Sequence, residues 1–312
     1  MTRHFLRDDD LSHTEQHEVL QRAHYVKGQR FADNRLGGPK TVALIFDKPT
    51  LRTQTSFSIA VTELGGEPLL VDGGLAQIGT RESVEDVARV LGRQVSAVVW
   101  RTYAQADLEK MAEFSGVTVV NALTDEFHPC QILADLLTIE EHKGTLAGLK
   151  LAFVGDSACN MSHSYLLGCA TAGMHVVVSG PSGYEPAADV LAKAQQIAAQ
   201  TGGSAEYVAD PVAAVSGADV VATDTWVSMG KESEAESRIA PFLPYQLNAE
   251  LLASAKPDAI VLHCLPAYRG KEITEDVLDG PQSVVWDEAE NRLHAQKALL
   301  SWLLEHRIEK LP

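Results

Sequence analysis

KLAFVGDSACNMSHSYLLGCATAGMHVVVSG, residues 150–180, reads as a strand, a helix and a second strand in succession. Lys150–Val154 is a short apolar run that stops at Gly155-Asp156, where the chain must turn. A helix follows from about Met161 to Ala172. His175–Ser179 is again apolar and ends at Gly180-Pro181. Strands that alternate with helices of this length build a parallel sheet with helices on its faces.

The same alternation extends both ways. Downstream come a helix over Ala187–Gln200, strands at Glu206–Val208, Val220–Thr223 and Ala259–His263, and a last short strand at Val284–Trp286. Upstream, a surface helix over 13–30 is broken at Gly37-Gly38-Pro39. Strands then fall at Thr41–Phe46, Pro68–Val71, Ala97–Trp100 and Val117–Val120. They are separated by helical spacing at Thr50–Leu64, Ser83–Leu91 and Ala106–Phe114, and a helix runs from about Cys130 to His142. The stretch Gly144–Gly148 is the natural junction. The tail Asn291–His306 is amphipathic, with Leu293, Leu299, Leu300, Trp302 and Leu303 on offer for one face. The expected fold is α/β: two doubly wound parallel-sheet domains, 1–143 and 144–288, with the active site in the cleft between them and a C-terminal helix over 289–312 packed back on the first. A length of 312 residues suits two domains at roughly 150 residues each.

The bulk chemistry excludes several functions. The formal charge is −16, from 26 basic and 42 acidic side chains, which argues against nucleic acid or an anionic membrane as partner. No apolar stretch approaches the length of a membrane span, and residues 1–10 carry neither signal nor transit pattern. Cys130, Cys159, Cys169 and Cys264 have no paired spacing, so free thiols in a cytoplasmic protein are expected. Neither HExxH nor CxxC occurs, so no metal is expected. GxxxxGK[ST] and a GxGxxG after Val154 are missing too, which disfavours a nucleoside triphosphate and a dinucleotide.

In an open α/β sheet ligands bind beyond the carboxyl ends of the strands. Polar clusters occur at six such places: Lys48–Thr55, Arg101, His128–Gln131, Asp156–Asn160, Asp224 and Cys264. At Thr50–Thr53 a strand turns into a helix, whose free N–H groups and positive end attract an anion. Thr50 and Thr53 can add hydroxyl hydrogen bonds, and Arg52 can grip a phosphate with two parallel ones. Taken singly, each residue also suits a bland role: Arg52 on the surface, His128 in the core, Cys264 as a small apolar filler, Asp224 as a cap. Their shared placement at strand ends is what points to a site.

At these residues the chain resembles the aspartate/ornithine carbamoyltransferase family, and within it the ornithine branch, from His4-Phe5-Leu6 to the final helix. KPTLRTQTSF over 48–57 is similar to the family's carbamoyl-phosphate motif. HPCQ stands at 128–131, DTWVSMG at 224–230, HCLP at 263–266 and the terminal arginine motif ENRLH at 290–294. The resemblance implies a carbamoyl phosphate-binding first domain, with Thr50, Leu51, Arg52, Thr53, Gln77, Arg101, His128, Gln131, Cys264, Leu265 and Arg292 at that ligand. It implies an ornithine-binding second domain, with Asn160, Asp224, Ser228, Met229 and Cys264 at L-ornithine. Arg52, Arg101, His128 and Cys264 are the implied catalytic residues. The implied assembly is a homotrimer whose sites are shared, the Gln77 loop coming from a neighbour, and no cofactor is implied. Thr50, Gln54, Ser58 and Cys159 depart from the usual motifs; Gln54 and Ser58 stand where an Arg–Glu pair four residues apart is common on the helix. Competing readings are a sibling transferase with another amino acceptor and a non-catalytic ligand-binding paralogue.

Overall fold

The computed structural model describes residues 2–227 and 235–306. Nine parallel strands and thirteen α-helices lie among the described residues. They are α1 His13–Gly28, β1 Thr41–Phe46, α2 Arg52–Glu63, β2 Glu67–Asp72, α3 Gly73–Ala76, α4 Val84–Leu91, β3 Ala97–Arg101, α5 Gln105–Ser115, β4 Thr118–Leu123 and α6 Pro129–Lys143. Then come β5 Lys150–Val154, α7 Asn160–Thr171, β6 His175–Ser179, α8 Ala188–Thr201, β7 Ser204–Tyr207, α9 Pro211–Val215, β8 Val220–Thr223, α10 Ala235–Phe242, α11 Ala249–Leu252, β9 Ile260–His263, α12 Glu275–Leu278 and α13 Val285–Glu305. The chain forms two compact units. One takes the chain up to Ala134 and resumes at Glu290; the other is Asp135–Ala289. The chain therefore changes unit inside α6 and again inside α13.

The first unit holds a four-stranded sheet in the order β2-β1-β3-β4, every pair parallel. The winding reverses between β1 and β3, so the crevice beyond their carboxyl ends is the switch point where ligands bind in such sheets. Val42–Ile45 of β1 and all of β3 are buried, as parallel strands covered on both faces are. One core cluster joins Ala43, Ile45, Val98, Trp100, Leu108 and Met111. β2, at the edge, leaves Leu69 and Leu70 nearly half exposed.

The second unit holds five parallel strands in the order β7-β6-β5-β8-β9. Here the winding reverses between β5 and β8. The helix of the opening stretch, α7, is buried from Met161 to Thr171, which explains why it carries no Asp, Glu, Lys or Arg. At the carboxyl edge Gly155 has φ 135°, a conformation that side chains rarely adopt. Gly180, ending β6, faces it so closely that a Cβ would lie 2.5 Å from the Gly155 carbonyl oxygen.

The strands and longer helices expected from the sequence are present, with ends shifted by a residue or a few. Val284–Trp286 is the exception. Ser283 makes a single bridge to Val261, and the chain then enters α13, with Asp287 and Glu288 in the first turn favouring the helix start. No described helix is long and apolar enough to cross a membrane.

The close approach at Gly180 makes a prediction. Gly180→Ala forces the two turns apart and should destabilise the protein by roughly 1–3 kcal/mol, the usual cost of overpacking. Urea unfolding would measure it, and an unchanged midpoint would show that the contact is not tight.

Candidate active site

In the first unit, β1 delivers Asp47 and Lys48 to the switch point, and α2 starts four residues on with Arg52 at its first position. Lys48 is buried, paired with Asp125 and lying 4.4 Å from the centre of the Tyr103 ring. Thr50 is half-buried and Leu51, at the cap of α2, turns its side chain to solvent. Thr53, one residue into the helix, is buried. Across the switch point, β3 ends at Arg101, also buried. The register against β4 slips between Trp100 and Arg101, a local irregularity of the kind that re-aims a side chain beside a functional site.

His128 and Gln131 come from the start of α6 and are both buried. Arg292 reaches the same place from α13. Its Nη1 donates to Gln131 Oε1 at 2.6 Å and its Nη2 to Thr53 Oγ1 at 3.0 Å. Gln296, one turn further along α13, turns its amide oxygen to Nε and Nη2 of Arg292 at 3.1 and 3.0 Å, while its nitrogen donates to Ser56 Oγ at 2.6 Å. Three residues named from the sequence thus hold one another directly.

His128 reports the electrostatics of this group. Burial, and then the charges of Arg292, Arg101, Arg52 and Lys48, hold its imidazole well below the usual histidine range. Four cations converge on one buried neutral ring, in a chain whose net charge is −16. Buried charge of one sign is costly unless a counter-charge joins it. Such a concentration of positive charge can attract an anion with several oxygens, to which a neutral His128 can offer a hydrogen-bond donor.

Gln77 is elsewhere in the loop sequence, exposed, with its described hydrogen bonds made by its backbone to Gly73, Thr80 and Arg81. Its φ is 52°. The other non-glycine residue in the left-handed region, among those described, is Leu265 with φ 58°. Such backbone costs about 1–3 kcal/mol per residue and concentrates at functional sites. Leu265 lies in the HCLP motif, and Gln77 is a position that the family resemblance implied.

In the second unit the residues beyond β5, β8 and β9 gather likewise. Asn160 starts α7, and Cys159, its cap, is buried close enough to Asp156 and Asp224 for their charges to add to burial in pushing its thiol well up. Asp224 follows β8. Its Oδ1 accepts from Thr225 N at 2.7 Å and from Cys264 Sγ at 3.2 Å. Burial raises the Asp224 carboxyl above its ordinary value, against the effect of these hydrogen bonds. Burial also pushes the Cys264 thiol well up, and the negative charges of Asp224 and Glu288 push the same way. Cys264 is thus a thiol that donates to a carboxylate, the opposite of an activated nucleophile. Ligand atoms of Asp224, His263 and Cys264 lie within 4.8 Å of one another, so the three could hold a metal ion. The ring nitrogens of His263 are, however, already engaged by Leu265 N at 2.9 Å and Glu272 Oε1 at 3.2 Å. Ser228 and Met229 lie outside the described residues.

Two matches to family models divide the chain as its sheets do. The aspartate/ornithine carbamoyltransferase carbamoyl-P binding domain matches residues 3–141, and the Asp/Orn binding domain of the same family matches 147–303. The chain belongs to the aspartate/ornithine carbamoyltransferase family. Among its relatives is the ornithine carbamoyltransferase of Clavibacter sepedonicus, 62% identical over 97% of this chain and 99% of that one. Among solved structures, the ornithine carbamoyltransferase from Pyrococcus furiosus superposes with a TM-score of 0.93 at 46% identity, covering 98% of both chains. The enzyme of that name from Gloeobacter violaceus gives 0.88 at 47% identity, covering 97% of this chain and 98% of that one.

Within this family frame the sequence reading passed over Lys48, Gln296, Glu288 and His263 as site residues. Lys48 and His263 lie inside the quoted motifs, so their position was a usable signal; Gln296 follows Arg292 by four residues, which sets it on the same helix face. Position 58 also differs from a solvated helix pair. Ser58 is half-buried, and its hydroxyl oxygen is sequestered without a hydrogen-bond partner. A glutamate there would enter a partly desolvated place.

The depressed His128 implies a definite pH dependence. In the unfolded chain His128 titrates near 6.5, and in the folded chain lower. Between the two values the unfolded state holds a proton that the native state lacks, so stability is complete above about 6.5 and falls as pH drops toward the folded value. The urea midpoint of the ligand-free protein should fall from pH 7.5 to 5.5, and fall less in His128→Gln. Equal acid-side losses in both would show that His128 is protonated in the native state.

Proposed function

We propose that this protein transfers the carbamoyl group of carbamoyl phosphate to Nδ of L-ornithine, giving L-citrulline and phosphate, as a step of arginine biosynthesis. The observation that carries the reading is the convergence of Arg52, Arg101, Arg292 and Lys48 on neutral His128 at the switch point of the first sheet. Carbamoyl phosphate is a small dianion with a carbonyl beside the phosphate, and this group offers both charges and neutral donors. The family matches and the relatives named above support the same substrates.

In this reading Arg52, Thr50, Thr53, Arg101 and the N–H groups at the start of α2, including that near Leu51, grip the phosphate. His128 and Arg101 donate to the carbamoyl oxygen. Gln131 and the backbone at Cys264-Leu265 receive the carbamoyl amine, and Arg292 holds Gln131 and Thr53 in place for these tasks. Asp224 takes the α-ammonium of ornithine, with Asn160, Ser228 and Met229 completing that site and Cys264 beside the side chain. Unprotonated Nδ attacks the carbonyl carbon. Negative charge grows on the carbamoyl oxygen, where the fixed cations and the His128 N–H stabilise it. The tetrahedral state collapses as the C–O bond to phosphate breaks; the phosphate leaves with that electron pair and takes up the proton shed by Nδ, and Arg52 and Arg101 offset its charge. Cys264, held as a thiol, makes no bond to carbon.

We also read the chain as a cytoplasmic homotrimer in which the Gln77 loop completes a neighbour's carbamoyl phosphate site. Leu75 is 79% exposed and the edge strand β2 leaves Leu69 and Leu70 open, surface that a subunit contact would cover. The described cysteines are all free, which suits a reducing compartment.

The decisive assay follows phosphate release and the carbamoylated product from carbamoyl phosphate with L-ornithine, L-aspartate and putrescine offered separately; citrulline from ornithine, and no product from the other two, is expected. Arg52→Ala should lower kcat/KM by about 10²–10³, the scale for losing one transition-state donor, and unchanged turnover would sink its role. Asp224→Asn should raise the KM for ornithine far more than that for carbamoyl phosphate; equal losses would make it a structural residue. Mixing inactive Arg52→Ala chains with inactive Gln77→Ala chains, unfolding and refolding them together, should regenerate some activity. No recovery in trimers shown to be mixed would place Gln77 in its own chain's site.

A further inference from the structure

The histidine of the 263–266 motif has no role in the scheme above, yet it is fully buried and hydrogen-bonded at both ring nitrogens. Its Nδ1 lies 2.9 Å from the backbone nitrogen of Leu265. A backbone N–H can only donate, so Nδ1 is the acceptor, and the ring proton of the neutral imidazole sits on Nε2. Nε2 faces Glu272 Oε1 at 3.2 Å. The same oxygen accepts from Tyr268 N at 2.5 Å, while Glu272 Oε2 has no hydrogen-bond partner. Glu272 is 1% exposed. A carboxylate buried at such cost, and spent wholly through one oxygen, serves what that oxygen holds.

What it holds is the imidazole, and the imidazole holds Leu265. Leu265 is one of two described non-glycine residues with left-handed backbone, so its turn needs an outside restraint. The backbone of His263 is pinned as well, its N–H donating to Glu288 Oε2 at 2.8 Å. We propose that Glu272, acting through His263, positions the Cys264-Leu265 backbone and thereby sets where the carbamoyl amine is received. This deepens the proposed function and rests on its assignment of that backbone to the amine.

The test uses the geometry of side-chain amides. Asparagine places an oxygen where His263 has Nδ1, and glutamine places one where it has Nε2. His263→Asn should keep an acceptor for Leu265 N–H and stay within about tenfold of the wild-type kcat/KM for carbamoyl phosphate, whereas His263→Gln should lose about a hundredfold, as misplacement near 1 Å does. Glu272→Gln keeps an acceptor for Nε2–H and should stay close to wild type. Glu272→Ala frees the ring to carry its proton on Nδ1, against Leu265 N–H, and should resemble His263→Gln. The KM for ornithine should change only a few-fold throughout. Deuterium uptake by the peptide containing Leu265 should follow the same order as the activity losses, independently of turnover.

A purely structural role predicts the reverse at position 263, with the larger glutamine tolerated at least as well as asparagine and activity following Tm. That ranking, or uptake at Leu265 equal in Glu272→Gln and Glu272→Ala, overturns the proposal. If His263→Asn fails to fold, the isosteric Glu272→Gln against Glu272→Ala carries the comparison. Wild-type protein that makes no citrulline would refute the proposed function instead, and the uptake order would still decide whether the relay exists.

Discussion

Everything in the first unit is arranged around a concentration of positive charge that water cannot reach. Arg101 and Arg292 are each less than 5% exposed, and Lys48 is only slightly more open. Left to themselves such groups would repel one another and favour unfolding. Directed hydrogen bonds hold them. Arg292 is fixed by Thr53, Gln131 and Gln296, and Lys48 by Asp125 and the face of Tyr103. The elements follow from that need. α2 must begin where Thr53 meets Arg292, α6 must present Gln131 to the other guanidinium nitrogen, and the register slip at the end of β3 must aim Arg101. The second unit inverts the pattern. There a thiol and a carboxylate share a proton contact, and burial raises both groups' pKa values. One unit gathers buried cations at its carboxyl edge, and the other a buried carboxyl and thiol.

Much of this was legible in the sequence because parallel strands buried on both faces are written as uninterrupted apolar runs. Val98-Val99-Trp100 and Leu151–Val154 allow little else, and polar residues directly after such runs must sit at a carboxyl edge. That is why Arg101, Asp224 and Cys264 could be named before any coordinates. The resemblance to a family then implied Gln77 and, through the HCLP motif, Leu265, the two described side-chain-bearing residues with left-handed backbone.

The rest was hidden for specific reasons. Val284-Val285-Trp286 has strand-like composition, but the bridge to Val261 is made by Ser283 just before it, and the acidic turn that follows draws the segment into a helix. Whether Gln54 and Ser58 face solvent depends on what packs over α2, which local periodicity does not record. Glu272 lies nine positions from His263 with a turn between, a spacing that no regular element predicts.

The chain's route carries a consequence for its birth on the ribosome. Lys297 of α13 is entirely buried and gives its three protons to Val26 O, Arg30 O and Glu63 Oε2. Trp302 donates to Glu18, Asn291 accepts from Lys27, and Arg292 supplies the bonds to Thr53 and Gln131. All these partners precede Asp135–Ala289 in the chain, yet the helix that satisfies them begins only at its end. Asp135–Ala289 is a contiguous segment and can condense as it emerges. The first unit, though begun before that segment, is finished after it: the bonds that hold Arg292 come into being only once α13 has been made.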